Sequence, residues 1–228
     1  VTVNSDVTYT AIFDSLAGSS INPYLITTAA ELAQLATWVN NGTAPYANAG
    51  AYYKLANNID LSGYQAGAGW TPIGTSTNLF YGNFDGDGKI ITGLKINSTT
   101  LNYVGLFGCS NGSINNIRIN SMNIVVNKDG GTYAGGVVGF NSSNGIVSNS
   151  NTSGVIDCRS ISTGISGQSC AGGIAGGSVG AISNSYSSAS VYSVTGYFVP
   201  PSNDCPSVAG GIVGLIGTNA IVSNCYSS

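Results

Sequence analysis

The chain has 228 residues, of which 6 are basic and 9 acidic, with no histidine and a net charge of −3. So few basic groups leave no positive face for phosphate, which argues against nucleic acid and anionic membrane as partners. No apolar run approaches the roughly 18 residues that cross a bilayer, so membrane insertion is not expected. The 33 glycines, with abundant Ser, Asn and Thr, favour strands and tight turns over helices.

Residues 1–20 form the first segment. Val1-Thr-Val-Asn-Ser-Asp-Val-Thr-Tyr-Thr-Ala-Ile-Phe13 alternates and is rich in β-branched residues, which predicts a strand. It resembles the closing strand of a small repeat found in bacterial wall proteins, and the Gly18-Ser-Ser20 after it reads as a linker. The chain begins without Met and ends inside a repeat unit, so it is expected to be a piece of something longer.

Residues 21–102 are expected to carry an N-terminal capping helix and the first coils of a stacked structure. Thr28-Ala-Ala-Glu31 has the capping-box spacing, Leu32, Leu35, Ala36 and Val39 recur at helical period, and Asn41-Gly42 supplies a left-handed stop. The apolar stripe of a lone helix needs a surface, and the open end of a β stack offers one. After it, Tyr52-Tyr-Lys-Leu55 and Lys89-Ile-Ile-Thr-Gly-Leu-Lys-Ile96 carry period-two apolar positions.

Residues 103–228 repeat. Tyr103-Val-Gly-Leu-Phe-Gly108 is followed by Ala134-Gly-Gly-Val-Val-Gly139, Ala171-Gly-Gly-Ile-Ala-Gly176 and Ala209-Gly-Gly-Ile-Val-Gly214, whose final glycines stand 31, 37 and 38 residues apart. Each block precedes a second shared phrase, Gly112-Ser-Ile-Asn-Asn-Ile117 after the first and, after the other three, one that includes Asn149, Asn184 or Asn224. Two phrases in fixed order at this period predict a solenoid, each unit burying its apolar face against the next. Val137, Ile174 and Ile212 are expected to point inward, the paired glycines to permit close backbone passage, the asparagines to stack as an amide ladder, and Tyr186 to lie over Tyr226. The unequal segments between phrases are expected to be loops on one side.

Asn22-Pro-Tyr-Leu-Ile26, the Ala-Ala-Glu-Leu helix, Asn58-Ile-Asp-Leu61, Trp70-Thr-Pro-Ile-Gly74, Gly82-Asn-Phe-Asp-Gly86 and Tyr103-Val-Gly-Leu-Phe-Gly108 occur in one order. In this the chain resembles bacterial cell-surface proteins with GLUG-motif repeats, among them adhesins and the non-catalytic regions of IgA-protease-like peptidases. The resemblance implies an all-β, right-handed parallel β-helix displayed outside the cell, attached to the surface or secreted.

Few residues offer chemistry. Asp85 and Asp87, alternating before glycine, are a candidate calcium pair, but no bidentate Glu follows and Lys89 sits where an oxygen ligand is wanted, so a glycine-rich turn is the plainer reading. Glycoside hydrolysis needs two carboxylates flanking the bond, and the acids are scattered. Without histidine no Ser-His-Asp or Cys-His triad forms, and the two arginines, Arg118 and Arg159, fall in different units. No catalytic residue and no cofactor is expected. Cys158, Cys170 and Cys205 are candidates for disulfides between neighbouring units, with buried free thiols as the alternative. Tyr64, Trp70, Phe80 and Tyr81 are either a platform for sugar rings or core filling. The expected function is a non-catalytic segment of a surface adhesin that meets a glycan or protein ligand on host or neighbouring cells. Two alternatives stand beside it: the stalk of a large surface peptidase, and a β-helical polysaccharide-degrading enzyme.

Overall fold

The computed structural model describes residues 17–128, 130–160, 168–195 and 207–228. The candidate strand in residues 1–13 therefore lies outside the described residues. The described residues form a parallel β-solenoid of about five turns with one α-helix.

Each coil of the repeat region visits four faces in order. In the first complete coil these are Tyr103–Val104, Phe107–Ser110, Ser113–Asn115 and Arg118–Lys128, and the next coil repeats them as Thr132–Gly135, Val138–Asn141, Ile146–Ser148 and Asn151–Ser160. Every ladder between described strands is parallel. The third face has seven strands, running from Tyr24–Ile26 through Tyr52–Leu55 and Asn83–Asp85 to Ile221–Ser223. Its inward column reads Tyr24, Tyr53, Phe84, Ile114, Val147, Ile182 and Val222.

Helix α1, Ala29–Asn40, starts as its sequence dictates. The Glu31 amide donates to the Thr28 hydroxyl at 3.2 Å, and Glu31 Oε2 accepts from the Thr28 amide at 3.0 Å. It stops on Gly42, whose φ of +65° lets the Gly42 amide reach the Val39 carbonyl and the Thr43 amide the Trp38 carbonyl. Leu32, Leu35, Ala36 and Val39 are buried in one continuous core with the coils, so the helix closes the near end of the stack. Asn40 pins it there, donating to Pro72 O at 3.0 Å and accepting from the Gly74 amide at 2.7 Å.

Between α1 and the repeats the core is aromatic. Phe80 packs 5.0 Å from Phe107, Phe84 lies edge-on to Phe107 at 5.3 Å, and Tyr53 reaches Phe80. Each such ring, withdrawn from water, contributes on the order of 2–3 kcal/mol. Farther along, Val137 and Ile174 point inward and are fully buried, while Ile212 is half-buried.

The repeat glycines are explained by contact rather than by backbone angle. Gly108, Gly139, Gly176 and Gly214 form a column on the second face, and none has positive φ. A methyl group on Gly176 would collide with the backbone of Tyr133, Ala134 and Gly139 in the preceding coil. The first and second faces press together there with no room for side chains.

Asparagines do adopt the left-handed conformation. Asn116, Asn149, Asn184 and Asn224 have φ of 58°, 51°, 49° and 52° at the corner between the third and fourth faces. This corrects the expected amide ladder: the Asn149 carboxamide donates to Ser148 Oγ beside it, not to an asparagine of the next coil. Asn recurs because its short polar side chain tolerates αL best among non-glycine residues. The ladder belongs to the following residue. The Ile117 amide donates to Ser150 Oγ and the Ser150 amide to Ser185 Oγ, each at 3.2 Å. Tyr186 and Tyr226 lie on neighbouring rungs as expected, with centroids 4.6 Å apart and the rings tilted by 35°.

Candidate functional site

The candidate aromatic platform comes apart in three dimensions. Trp70 and Phe80 are core residues, 2% and 1% exposed, and Trp70 Nε1 donates to the Leu106 carbonyl at 3.1 Å. Tyr64 is half-buried with its edge against Trp70, which leaves Tyr81 alone on the surface. Early coils of a stack have few neighbours, and large rings fill them.

Asp85 and Asp87 are both already engaged. Asp85 Oδ1 accepts from the Asp87 amide and from Asn116 Nδ2, each at 2.8 Å. Asp87 meets Lys54 Nζ at 3.0 Å and Lys89 Nζ at 3.6 Å. The Lys54 hydrogen bond, with the charges of both lysines, holds the Asp87 carboxyl below its ordinary value, and Lys54 is raised in turn. An ammonium group thus stands where the calcium reading needs a cation, and calcium wants six to eight oxygens. Among the described residues no group of three or more His, Cys, Asp or Glu could hold a metal ion.

Cys158 and Cys170 are free and fully buried, and the third candidate, Cys205, lies outside the described residues. The Cys158–Cys170 bridge is not formed. Burial pushes the Cys158 thiol up to about 12 and the Cys170 thiol up to about 11, which suppresses the thiolate that disulfide chemistry requires. Arg159 forms a two-point pair with Asp157 at 2.8 Å on the outside of the fourth face, and Arg118 lies elsewhere, reaching Gly88 O at 3.4 Å.

What the fold does assemble is a groove of about 550 Å³ along the outside of the third face. It crosses the strands Tyr52–Leu55, Asn83–Asp85 and Ser113–Asn115 and ends against the segment just ahead of Tyr24–Ile26. Its floor carries the outward residues of two register columns, Tyr52 over Asn83, and Lys54 over Asp85 over Asn115. The corner residues Asn116 and Asn149 form one border, and Ile21 and Pro23 rise at one end.

Hydrogen bonds fix several of these groups. Asn115 Nδ2 donates to Ser113 Oγ at 2.7 Å while its Oδ1 accepts from Ser148 Oγ at 2.5 Å. Asn116 is tied to Asp85, so each amide keeps one N–H and acceptor capacity for a visitor. The Asn83 carboxamide has no partner among the described residues. A concave site of this volume with convergent polar groups fits a small molecule or a polymer segment.

Sequence reasoning missed this groove. The signal was the triplet polar–apolar–polar, Tyr52-Tyr-Lys54, Asn83-Phe-Asp85 and Ser113-Ile-Asn115, recurring 31 and then 30 residues on. Those triplets carry no shared motif, and only their register stacks them.

The fold has a solved counterpart. The crystal structure of a protein from Bacteroides ovatus, provisionally named an immunoglobulin A1 protease, superposes with a TM-score of 0.54 over 92% of this chain and 76% of its own, at 20% identity. That likeness is one of fold. In sequence, 120 residues are 38% identical to a provisionally named Gly-rich membrane protein of Evansella cellulosilytica, covering 51% of this chain and 13% of that protein. A further 126-residue match is 33% identical to halomucin of Haloquadratum walsbyi, covering 52% of this chain and 1% of that protein. The chain thus spans a small part of the curated relatives it matches. No family model matches the sequence. No helix among the described residues is long and apolar enough to cross a membrane.

Proposed function

We propose that this β-solenoid is a non-catalytic segment of a bacterial adhesin, displayed at the cell surface or secreted, that attaches to a ligand on host or neighbouring cells. The groove on the third face carries the reading: its polar side chains are set by ladder register across three strands, a rigid presentation suited to recognition. The relatives' names, a membrane protein and a halomucin, support a place at the surface, and the small share of each that this chain covers supports a modular segment. The GLUG-motif resemblance points the same way. A non-catalytic role is supported by the lack of histidine and by the pairing of Asp85 and Asp87 with Asn116 and two lysines.

The second reading, the stalk of a large surface peptidase, is favoured by the fold shared with the Bacteroides ovatus protein. An array of glycans and matrix proteins probed with this chain separates the two. Specific binding supports attachment, and a blank array together with failure to bind whole cells leaves the stalk. Release of product from a polysaccharide panel would overturn the non-catalytic assignment.

A further inference from the structure

We infer that the third-face groove holds a segment of a neutral saccharide chain. This rests on the attachment reading and names its ligand. The groove is elongated: three strands at about 4.8 Å spacing carry it roughly 10 Å along the stack, and Pro23 and Asn149 extend it beyond them, which suits a linear polymer more than a compact metabolite.

Its polar groups have the valence that sugar hydroxyls need. A hydroxyl donates and accepts at once, and Asn83, Asn115, Asn116 and Asn149 offer both functions from short side chains. Tyr52, half-buried beside Asn83, gives a ring face for sugar C–H groups, and Pro23 and Ile21 extend that apolar side. Ile21 is 94% exposed, so its side chain is open to a visitor at that end.

Other ligand classes fit less well. Lys54 and Lys89 are paired with Asp87, and Asp85 adds a further negative charge, so no positive field draws sulfated or uronic glycans. A peptide could add to the sheet only at an open edge. Under the groove the third face is continuous, its strands Tyr52–Leu55, Asn83–Asp85 and Ser113–Asn115 each laddered on both sides.

The test uses the whole 228-residue chain in calorimetric titrations with neutral tetrasaccharides of glucose, mannose, galactose and N-acetylglucosamine, and with heparin and polygalacturonate as anionic arms. At least one neutral probe is expected to bind, with little change in 0.5 M salt. The double variant N83A/N115A is expected to weaken it by about tenfold or more, and Y52A likewise, while Tyr81→Ala, outside the groove lining, leaves it unchanged. Thermal melts verify that each variant is folded. Binding that survives N83A/N115A and Y52A overturns the groove assignment. Capture of anionic glycans alone, or of a matrix protein with no neutral saccharide, overturns the ligand class and leaves attachment standing. No binding to any probe or to cells overturns both.

Discussion

Gly176→Ala tests why glycine recurs in the repeat. The residue has no positive φ, so the substitution carries no left-handed strain, and its whole cost is steric. The added methyl would press on the Ala134 amide nitrogen, with Tyr133 C at 2.6 Å and Gly139 O at 2.8 Å. All three are backbone atoms within parallel ladders, so relief requires two coils to separate or the second face to buckle. Overpacking a well-filled core costs about 1–3 kcal/mol, and immobile backbone places this site at the upper end. About 3 kcal/mol in a chain of this size lowers Tm by roughly 6–12 °C. The control is Gly63→Ala, where a methyl meets nothing within 4 Å and the backbone is ordinary, so stability should hold or rise by a few tenths of a kcal/mol. Urea and thermal unfolding of both variants decide the matter. A Gly176→Ala variant within about 0.5 kcal/mol of the parent would refute the close-approach explanation.

Three further predictions use the same structure. At the corner, Asn149→Ala should cost about 1–2 kcal/mol and Asn149→Gly little, because αL geometry is what the position needs; equal losses in the two urea curves would restore the amide ladder. Burial alone would raise the Glu31 carboxyl, but hydrogen bonds from Thr27 and Thr28 together outweigh it and hold the group below its ordinary 4.5. A depressed folded value stabilises above the unfolded pKa and is lost as pH falls through the folded one, so the parent should lose stability below about pH 4.5 more steeply than Glu31→Gln, read from Tm against pH. In iodoacetamide labelling mapped by peptide mass, Cys109, Cys158 and Cys170 should stay unmodified in the native state, since burial lifts their thiols to about 12, 12 and 11, and among the four described cysteines Cys225, partly exposed, should react first; native labelling of Cys158 would contradict its packing.

The sequence by itself determined what depends on neighbours along the chain. The Thr28 and Glu31 capping box, the Gly42 stop, the stripe from Leu32 to Val39 and the glycine phrases at 31 to 38 residues are local or repeated signals, and they specify one helix on a β-solenoid. Even the Tyr186 and Tyr226 contact follows from repeat alignment. Tertiary structure decided whatever depends on lateral register and on which side of a strand faces out. For Trp70 and Phe80 the sequence leaves sugar platform and core filling both open until the coils close over them, and the corner asparagines look like a ladder until their φ is known. The groove is the clearest case, because Tyr52, Asn83 and Asn115 share no motif and lie about thirty residues apart. A parallel ladder places such residues about 4.8 Å from rung to rung, and the binding surface exists only once that pairing is made.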